Sequence, residues 1–428
     1  QTLPLEEIYD LVVIDEASQM RTEFAIGSIA RAKQFIIVGD QNQLPPTRFF
    51  TSSSDEDPDD DDINDESILE LATKTLSSSR NLLYHYRSRH QSLIAFSNNE
   101  FYHNLMIPVT ADPDNKNRGI TYIYLEEARY IASKGGLGGS INPIEADRAI
   151  EEAIKIMKER PNESIGIATM NIKQKDYLSN RFSKILSDDS EVMEYVKKWE
   201  EFNDGLSEFF IKNIENVQGD ERDVIIVSTI FGRHDDTSPP HQRFGINNKN
   251  GWRRLNVLFT RAKNQLILVT SLRSSEIITK ETTSRSVQVF KKYLEYAETN
   301  KLPIGMPTNY PVDNPFQQWA IDQVNSHPDG GFKADWEIGV SGYRIDIGVK
   351  HDDFASYILA VETDGASYHS VKYARDRDYN RQKILEGHDW VFHRIWSTDY
   401  TMDPVGTSKK LHIAMDNRLK EMRNKEIS

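Results

Sequence analysis

Short runs of β-branched and aliphatic residues alternate along the chain with stretches of helical periodicity. Leu11-Val-Val-Ile-Asp15, Phe35 to Asp40, Ile165 to Thr169, Val224 to Ser228 and Gln265 to Thr270 read as buried strands. Their alternation with helical segments such as Ile144 to Met157 is the signature of parallel sheets wrapped by helices. From Ser275 to about Pro311 the pattern changes to a polar helix and then a loop rich in Pro, Gly and Asn, which places a domain boundary there. Beyond it the spacing predicts a helix near Phe316 to Val324 and strands at Tyr343 to Val349 and Ile358 to Asp364. A charged helix near Ala374 to Glu386 and a strand at Trp390 to Trp396 follow. No internal repeat is visible.

At 428 residues the chain exceeds what one hydrophobic core usually supports, so two or three domains are expected. No apolar run approaches the roughly 18 to 20 residues that span a bilayer, and the start lacks a signal-peptide pattern, so no membrane partner is expected. The absence of cysteine excludes disulfides, thiolate zinc sites and iron–sulfur clusters, and fits a reducing, cytoplasmic setting. Any metal has to be held by oxygen or imidazole. The net charge of -14 argues at first sight against a nucleic-acid partner. Nine of the twelve residues from Asp55 to Glu66 are acidic, however, so the deficit of positive charge is local. That run reads as a solvated loop; an autoinhibitory mimic of DNA is the sharper alternative.

Asp15 and Glu16 end an apolar strand, where open α/β sheets put their chemistry. An acid there can hold Mg²⁺ through water, and a second can orient and deprotonate an attacking water. The next strand ends in Gly39-Asp-Gln-Asn-Gln-Leu-Pro-Pro46, where Gln43 in a rigid turn is suited to sense a γ-phosphate. Tyr86-Arg-Ser, Val217-Gln-Gly-Asp-Glu-Arg-Asp-Val224 and Arg254-Leu-Asn-Val-Leu-Phe-Thr-Arg-Ala-Lys263 follow in order. These segments resemble motifs II to VI of superfamily 1 helicases, in the subgroup that includes the nonsense-mediated-decay helicase. The wording around Asp15, Gly39, His85-Tyr-Arg-Ser, Phe96-Ser-Asn, Phe101-Tyr and Asn142 with Glu145-Ala is similar to large bacterial helicases that carry an endonuclease-like C-terminus.

The resemblance implies Asp15 as Mg²⁺ ligand, Glu16 as catalytic base and Gln43 as phosphate sensor. It also implies Arg87 and Arg261 as arginine fingers, with Gln218, Gly219 and Glu221 coupling ATP to strand movement. A transferred phosphoryl group spreads charge over its oxygens and is matched by planar, permanently charged guanidinium donors; taken singly, each Arg reads as a surface salt bridge. One element of the pattern is missing. No Gly-Lys pair occurs in the chain, so there is no Gly-x-x-x-x-Gly-Lys-Ser/Thr loop, and Lys134-Gly-Gly-Leu-Gly-Gly139 reads as a flexible loop. The P-loop is expected in a longer protein of which this chain is part, or on a partner polypeptide.

Near the C-terminus, Arg344-Ile-Asp346 sits on one predicted strand and the next delivers Glu362-Thr-Asp-Gly-Ala-Ser-Tyr-His369. Acids from adjacent strands bring oxygen ligands around Mg²⁺ or Mn²⁺, which stabilises a pentacovalent phosphate and activates water. This hairpin resembles the core of PD-(D/E)XK nucleases, most of all the branch related to very-short-patch mismatch-repair endonucleases. Arg375 to Gln382 and Trp390 to Trp396 are similar to that branch too. The resemblance implies Asp346 as main metal ligand, Glu362 as the second, Asp364 where other branches carry Lys, and His369 as the proton-transfer residue. No lysine stands at the expected place, and Gln317 and Gln318 replace the upstream helix acid. A buried ion-pair network of Asp346 and Glu362 with Arg344 or Arg381, a nuclease fold that only binds nucleic acid, and a packed His369 are the competing readings.

The expected organisation is α/β throughout: an incomplete RecA-like lobe to about residue 75, containing the acidic loop 51–66, and a second RecA-like lobe over 76–275. A linker over 276–311 and a restriction-endonuclease-like domain over 312–428 complete it. The expected activity is ATP-dependent helicase action joined to metal-dependent cleavage, with nucleic acid, DNA first, as partner and a role in defence or repair. A nucleic-acid-binding scaffold with inactive motor and nuclease is the alternative.

Overall fold

A computed structural model of the chain describes residues 8–46, 67–102, 105, 107–132, 141–237, 239–240, 244, 246, 250–299, 314–339, 344–364 and 381–427. Two compact units are present. The first comprises Gln1–Leu82, Tyr122–Arg261 and Ile267–Thr299; the second comprises Leu83–Thr121, Ala262–Leu266 and Asn300–Ser428. The acidic run 55–66, the glycine-rich 134–139 and His369 lie outside the described residues.

In the first unit, β1 (Tyr9–Ile14) pairs in parallel with β2 (Ala32–Ile37), Val12 opposite Phe35, with α1 (Thr22–Ile29) between them in sequence and α2 (Ile68–Thr75) after them. Ile14, Ala17, Ala25 and Ile68 form a small core. The rest of the strands stays uncovered: Val13 is 57 % exposed and Ile36 50 %. A strand of a parallel sheet ordinarily has both faces covered; among the described residues these two strands do not.

The five-stranded sheet runs β3 (Gly119–Tyr124), β7 (Ala262–Thr270), β6 (Arg222–Ser228), β4 (Ile165–Thr169), β5 (Phe210–Asn213). β4 lies parallel to both neighbours, Ile165 opposite Val224 and Gly166 opposite Phe210. A Cβ at Gly166 would run into the Phe210 ring, so close packing of the strands needs glycine there. Helix α4 (Pro143–Glu159) opens with Asn142, whose side chain accepts from Glu145 N, followed by Pro at the first turn. Its Ala146, Ala149, Ile150, Ala153, Ile156 and Met157 share one helical face and are buried with Ile165, Ile167 and Ile226. Each such isoleucine contributes about 1.5–3 kcal/mol by leaving water. Helix α5 (Ile172–Asp188), capped by Asn171, and α6 (Ser190–Glu201), capped by Asp189, close the same core through Leu178, Phe182, Val192 and Trp199. Helices α7 (Gly251–Phe259) and α8 (Arg285–Thr299) pack against each other, with Phe259 stacked on Tyr293.

In the second unit, β8 (Phe332–Ile338), β9 (Ile345–His351) and β10 (Leu359–Asp364) are antiparallel in turn, and β11 (Phe392–Trp396) adds in parallel to β10. Helix α9 (Pro315–Asn325) and α12 (Pro404–Ile427) cover one face, burying Phe316, Ile321, Ile347, Val361, Leu411 and Met415 together. Residues 381–386 are helical (α10), and α11 (Ser397–Met402) follows β11. A second cluster joins Ile338, Ile345, Tyr357, Leu385 and Trp390 to Val109 and Ala111, which come from the segment after α3 (Ser92–Phe101).

The strand over Ile165–Thr169 stands where the apolar pattern puts it, and the other predicted strands and helices that fall on described residues agree within a few residues; of the helix expected near Ala374 to Glu386, the part before residue 381 lies outside the described residues. β3, β5, β8, α5, α6 and α12 carried no strong enough pattern to be picked out.

Candidate functional site

Four of the residues expected to serve a motor, Asp15, Glu16, Gln43 and Gln218, gather at the ends of β1 and β2. Val38 N donates to Ile14 O and Ala17 N to Val38 O, which ties the two loops together. Glu16 sits at φ +50, in the left-handed region that a non-glycine residue occupies only under constraint. The turn leaves Asp15 and Glu16 exposed, with Asp15 Oδ1 accepting from Glu16 N at 2.8 Å. Gln218 Nε2 lies 3.3 Å from Glu16 Oε2 and 3.5 Å from Gln43 Oε1, so three expected residues from distant parts of the sequence meet. Gln43 is itself held by Asp40, whose Oδ2 accepts from its Nε2 at 3.1 Å. Gly219, at φ +86, borders open space where a Cβ would meet nothing, so backbone conformation and not crowding calls for glycine.

Arg261 is buried. Its Nε donates to Val257 O at 2.9 Å and Nη1 reaches Asp220 O at 3.5 Å, so its guanidinium is directed at backbone carbonyls. Arg87 belongs to the second unit. Glu221 is half-buried, its carbonyl accepting from Arg222. Two residues that sequence reasoning passed over hold α7 to the 40–43 loop: Arg253 Nε donates to Gln41 O and Asn256 Nδ2 to Asn42 O, each at 2.9 Å. Burial lowers the pKa of Arg253, yet it remains a cation. Only its adjacency to the Arg254-Leu-Asn segment could have flagged it.

Behind these loops, Glu145 is fully buried. It accepts from Ile230 N at 2.6 Å, from Ser271 N and Oγ at 2.7 Å, and from Ser228 Oγ at 3.1 Å. Burial pushes its carboxyl up to about 7. The Glu145 carboxyl therefore staples the start of α4 to the ends of β6 and β7, where Ile230 is held at φ +73. At the same strand ends lies a cavity of about 510 Å³ lined by Arg129, Arg233, Arg273 and Tyr124 together with the acids Glu126, Asp236 and Glu276. The Arg273 guanidinium stands 4.0 Å over the Tyr124 ring, and Arg233 pairs with Glu276 at 2.6 Å.

In the second unit, the β9–β10 pairing brings Asp346 to Thr363, whose N and Oγ1 both donate to Asp346 Oδ2 at 2.8 Å. Glu362, 5 % exposed, is gripped by Arg381 through both carboxylate oxygens, at 3.0 and 3.4 Å. Asp364 is placed by its backbone opposite Trp396. Gln317 Nε2 reaches Glu337 Oε1 at 3.2 Å and Asp346 O at 3.4 Å, and Arg344 pairs with Glu337 at 2.7 Å. Glu337, at φ +55, is an acid beside this site that the sequence reading missed. The oxygen-only donors Asp346 and Glu362 fit a hard cation such as Mg²⁺ or Mn²⁺, with Arg381 as the competitor for Glu362. A separate group, His327, Asp329 and Asp416, places ligand atoms within 4.8 Å of one another.

Residues 2–50 and 64–273 each match an AAA domain family, and residues 316–415 match the family REase_MTES_1575. The chain carries superfamily 1 helicase segments and a restriction-endonuclease-like domain. It is 27 % identical over 94 % of its length to an uncharacterised ATP-dependent helicase, MG140 homolog, of Mycoplasma pneumoniae, covering 36 % of that protein. It is 25 % identical over 95 % of its length to the Mycoplasma genitalium counterpart, covering 37 % of it. Identity to the DNA replication ATP-dependent helicase/nuclease DNA2 of Xenopus laevis is 25 % over 61 % of the chain and 25 % of that protein. The chain thus spans about a third of the two Mycoplasma helicases. The convergence of Glu16, Gln43 and Gln218 lies in the helicase segments, and Asp346 and Glu362 lie within the restriction-endonuclease-like match. Among the described residues no helix is long and apolar enough to cross a membrane.

Proposed function

We propose that this chain supplies motifs II to VI of an ATP-dependent nucleic-acid helicase, to be completed by a P-loop from elsewhere in the protein or from a partner chain, and that its second unit is a metal-dependent DNA nuclease. The observation that carries the motor reading is the meeting of Glu16, Gln43 and Gln218 at the ends of β1 and β2. Glu16 takes the proton of the attacking water, Asp15 holds the metal ion through oxygen, and Gln43 orients toward the terminal phosphate. Mg²⁺, when bound, offsets the charge that develops on the phosphate oxygens. Gln218 is bonded to both the base and the sensor, so its position follows the state of the nucleotide. Arg87 and Arg261 complete the charge stabilisation once Arg261 leaves its carbonyl contacts.

The single strand runs along the ends of β3, β6 and β7, where Arg273 stands over Tyr124 and where Arg129 and Arg233 exchange their carboxylate partners Asp236 and Glu276 for phosphates. In the second unit, Asp346 and Glu362 bind Mg²⁺ or Mn²⁺, Asp364 stands close by in sequence and His369 transfers a proton. The Glu362–Arg381 pair supports a second reading in which this domain binds nucleic acid without cutting it. The biological setting, defence against foreign DNA or repair, follows from the family resemblance. ATP turnover by the complete motor, with Glu16→Gln as control, tests the assignment: turnover unchanged by Glu16→Gln removes it.

A further inference from the structure

Within the second unit, the C-terminal helix α12 lies against α9, and its polar contacts fall on one stripe. Ser408, His412 and Asp416 are spaced four apart along α12, so they share a face. Ser408 Oγ donates to Gln323 Oε1 at 2.7 Å, and His412 Nε2 lies 3.0 Å from Gln323 O. The third member of the stripe is not closed in this way. Asp416 Oδ1 stands 3.5 Å from Nε2 of His327, in the turn that follows α9, which is long for an N–H···O bond. His327 is 6 % exposed, and its Nε2 is buried without a hydrogen-bond partner among the described residues. Buried polar atoms are ordinarily satisfied, so this nitrogen points to something that belongs between it and the carboxylate.

The ring is fixed by its neighbours, with the Phe332 centroid 4.4 Å and the His412 centroid 4.6 Å away. The turn itself delivers a second acid. Gly330 N donates to His327 O at 3.0 Å, Gly330 and Gly331 follow at φ +71 and +76, and Asp329 comes round beside the imidazole. Ligand atoms of His327, Asp329 and Asp416 lie within 4.8 Å of one another. One imidazole nitrogen with two carboxylates suits a borderline divalent cation such as Zn²⁺ better than Mg²⁺, which prefers oxygen and water. The group is distinct from Asp346 and Glu362. Gln317, in the first turn of α9, touches Asp346 O, whereas His327 follows the last turn, so the two places lie at opposite ends of an 11-residue helix.

We propose that His327, Asp329 and Asp416 form a structural site for Zn²⁺ or a similar borderline divalent cation, which ties the C-terminal helix to the turn after α9. Nε2 of His327 and one carboxylate oxygen from each acid supply the protein ligands, and water takes the remaining position. One bond gives way on binding: Asp329 N donates to His327 Nδ1 at 3.3 Å, whereas a metal on Nε2 leaves the ring proton on Nδ1. Asp329 is exposed, so its peptide can turn away as its carboxylate closes on the cation. The site stands whether or not this domain cuts DNA, because none of its three residues belongs to the cleavage set.

The test is Zn²⁺ uptake by the full chain, measured by equilibrium dialysis and atomic absorption in an excess of Mg²⁺. Wild type should retain Zn²⁺, and Asp346→Ala should retain it equally, which separates this site from the cleavage site. His327→Gln and Asp416→Asn should each weaken uptake by more than about 100-fold, since losing a ligand costs more than the 10- to 100-fold of losing an outer partner. Asp329→Asn lies in the exposed turn and leaves the core untouched; it should weaken uptake by about tenfold or more while unfolding in urea, without metal, at the wild-type midpoint. Zn²⁺ should raise that midpoint in wild type and in Asp346→Ala but not in Asp416→Asn. The proposal is overturned if wild type takes up no Zn²⁺ at about 0.1 mM. It is equally overturned if Asp329→Asn and Asp416→Asn take up Zn²⁺ as wild type does, which marks binding by histidines elsewhere, or if Asp346→Ala alone abolishes uptake, which places the ion in the cleavage site.

Discussion

Arg381 holds both carboxylate oxygens of Glu362 while also donating to the Arg344 carbonyl, so a cation held as proposed by Asp346 and Glu362 would compete with a guanidinium for Glu362. A carboxylate shared in this way binds metal more weakly than a vacant one. Cleavage of plasmid or oligonucleotide DNA in Mg²⁺ or Mn²⁺ should occur without ATP and stop in EDTA. Asp346→Ala should abolish it and Glu362→Gln should nearly do so, while His369→Ala should slow it by about 10²- to 10⁴-fold. Arg381→Gln should lower the metal concentration that half-saturates cleavage. DNA left uncut by wild type in both metals would hand the domain to the binding-only reading.

The chain by itself should not hydrolyse ATP at about 1 s⁻¹ or faster, the lower end for phosphoryl-transfer enzymes, because the lysine and amides that cradle the phosphates are not in its sequence. Steady-state turnover with single-stranded DNA is the measurement. A rate in that range from the chain alone means that a nucleotide site lies elsewhere in it.

Single-stranded DNA should bind with affinity that falls steeply between about 50 and about 200 mM salt and with little sequence preference. If the cavity at the ends of β3, β6 and β7 grips the backbone, Arg233→Ala and Arg273→Ala should each reduce the slope of log affinity against log salt by about one. Fluorescence anisotropy on several unrelated oligonucleotides decides it; slopes identical to wild type place the strand on another surface.

Glu145 should make stability depend on pH with a defined sign. Burial raises its folded pKa to about 7, so the folded state holds the proton more tightly than the unfolded chain. The contribution is fully present below the ordinary glutamate range and is lost as pH rises through about 7, by up to about 3 kcal/mol. Glu145→Gln should flatten that part of the profile. It should also cost about 1–3 kcal/mol, because the amide turns a donor toward the N–H groups of Ile230 or Ser271. Urea unfolding of the first unit, followed at about pH 5 and about pH 8, reads both effects; equal slopes in wild type and variant would show that Glu145 titrates normally.

The parts of the fold visible in the sequence were those with a one-dimensional signature. β4 carries Ile165, Ile167 and Ala168 in five residues with no charge, and it is buried throughout, so its run declared it. β5, with Lys212 and Asn213 in four residues, and β8, with Lys333, Asp335 and Glu337 along its length, mix charge with apolar residues too closely for that. α5 and α6 were hidden by their long polar faces, although each has a side-chain cap. Among candidate residues, Glu16, Gln43 and Gln218 could be named from motif order, but the role of Arg253 depends on a carbonyl 212 residues away in sequence. The packing of Val109 and Ala111 against Trp390 is likewise a meeting of distant segments and leaves no periodic trace.

The exposed strands β1 and β2 bear on how this chain behaves in solution. Leu11, Val13 and Ile36 on one face and Phe35 on the other expose apolar, β-prone surface among the described residues, the kind of template on which further strands add. In isolation such a surface should drive concentration-dependent self-association, which sedimentation at several concentrations would show. Handling this chain will therefore be governed less by its nuclease-like unit, where α9 and α12 cover one face of the sheet, than by the two exposed six-residue strands β1 and β2.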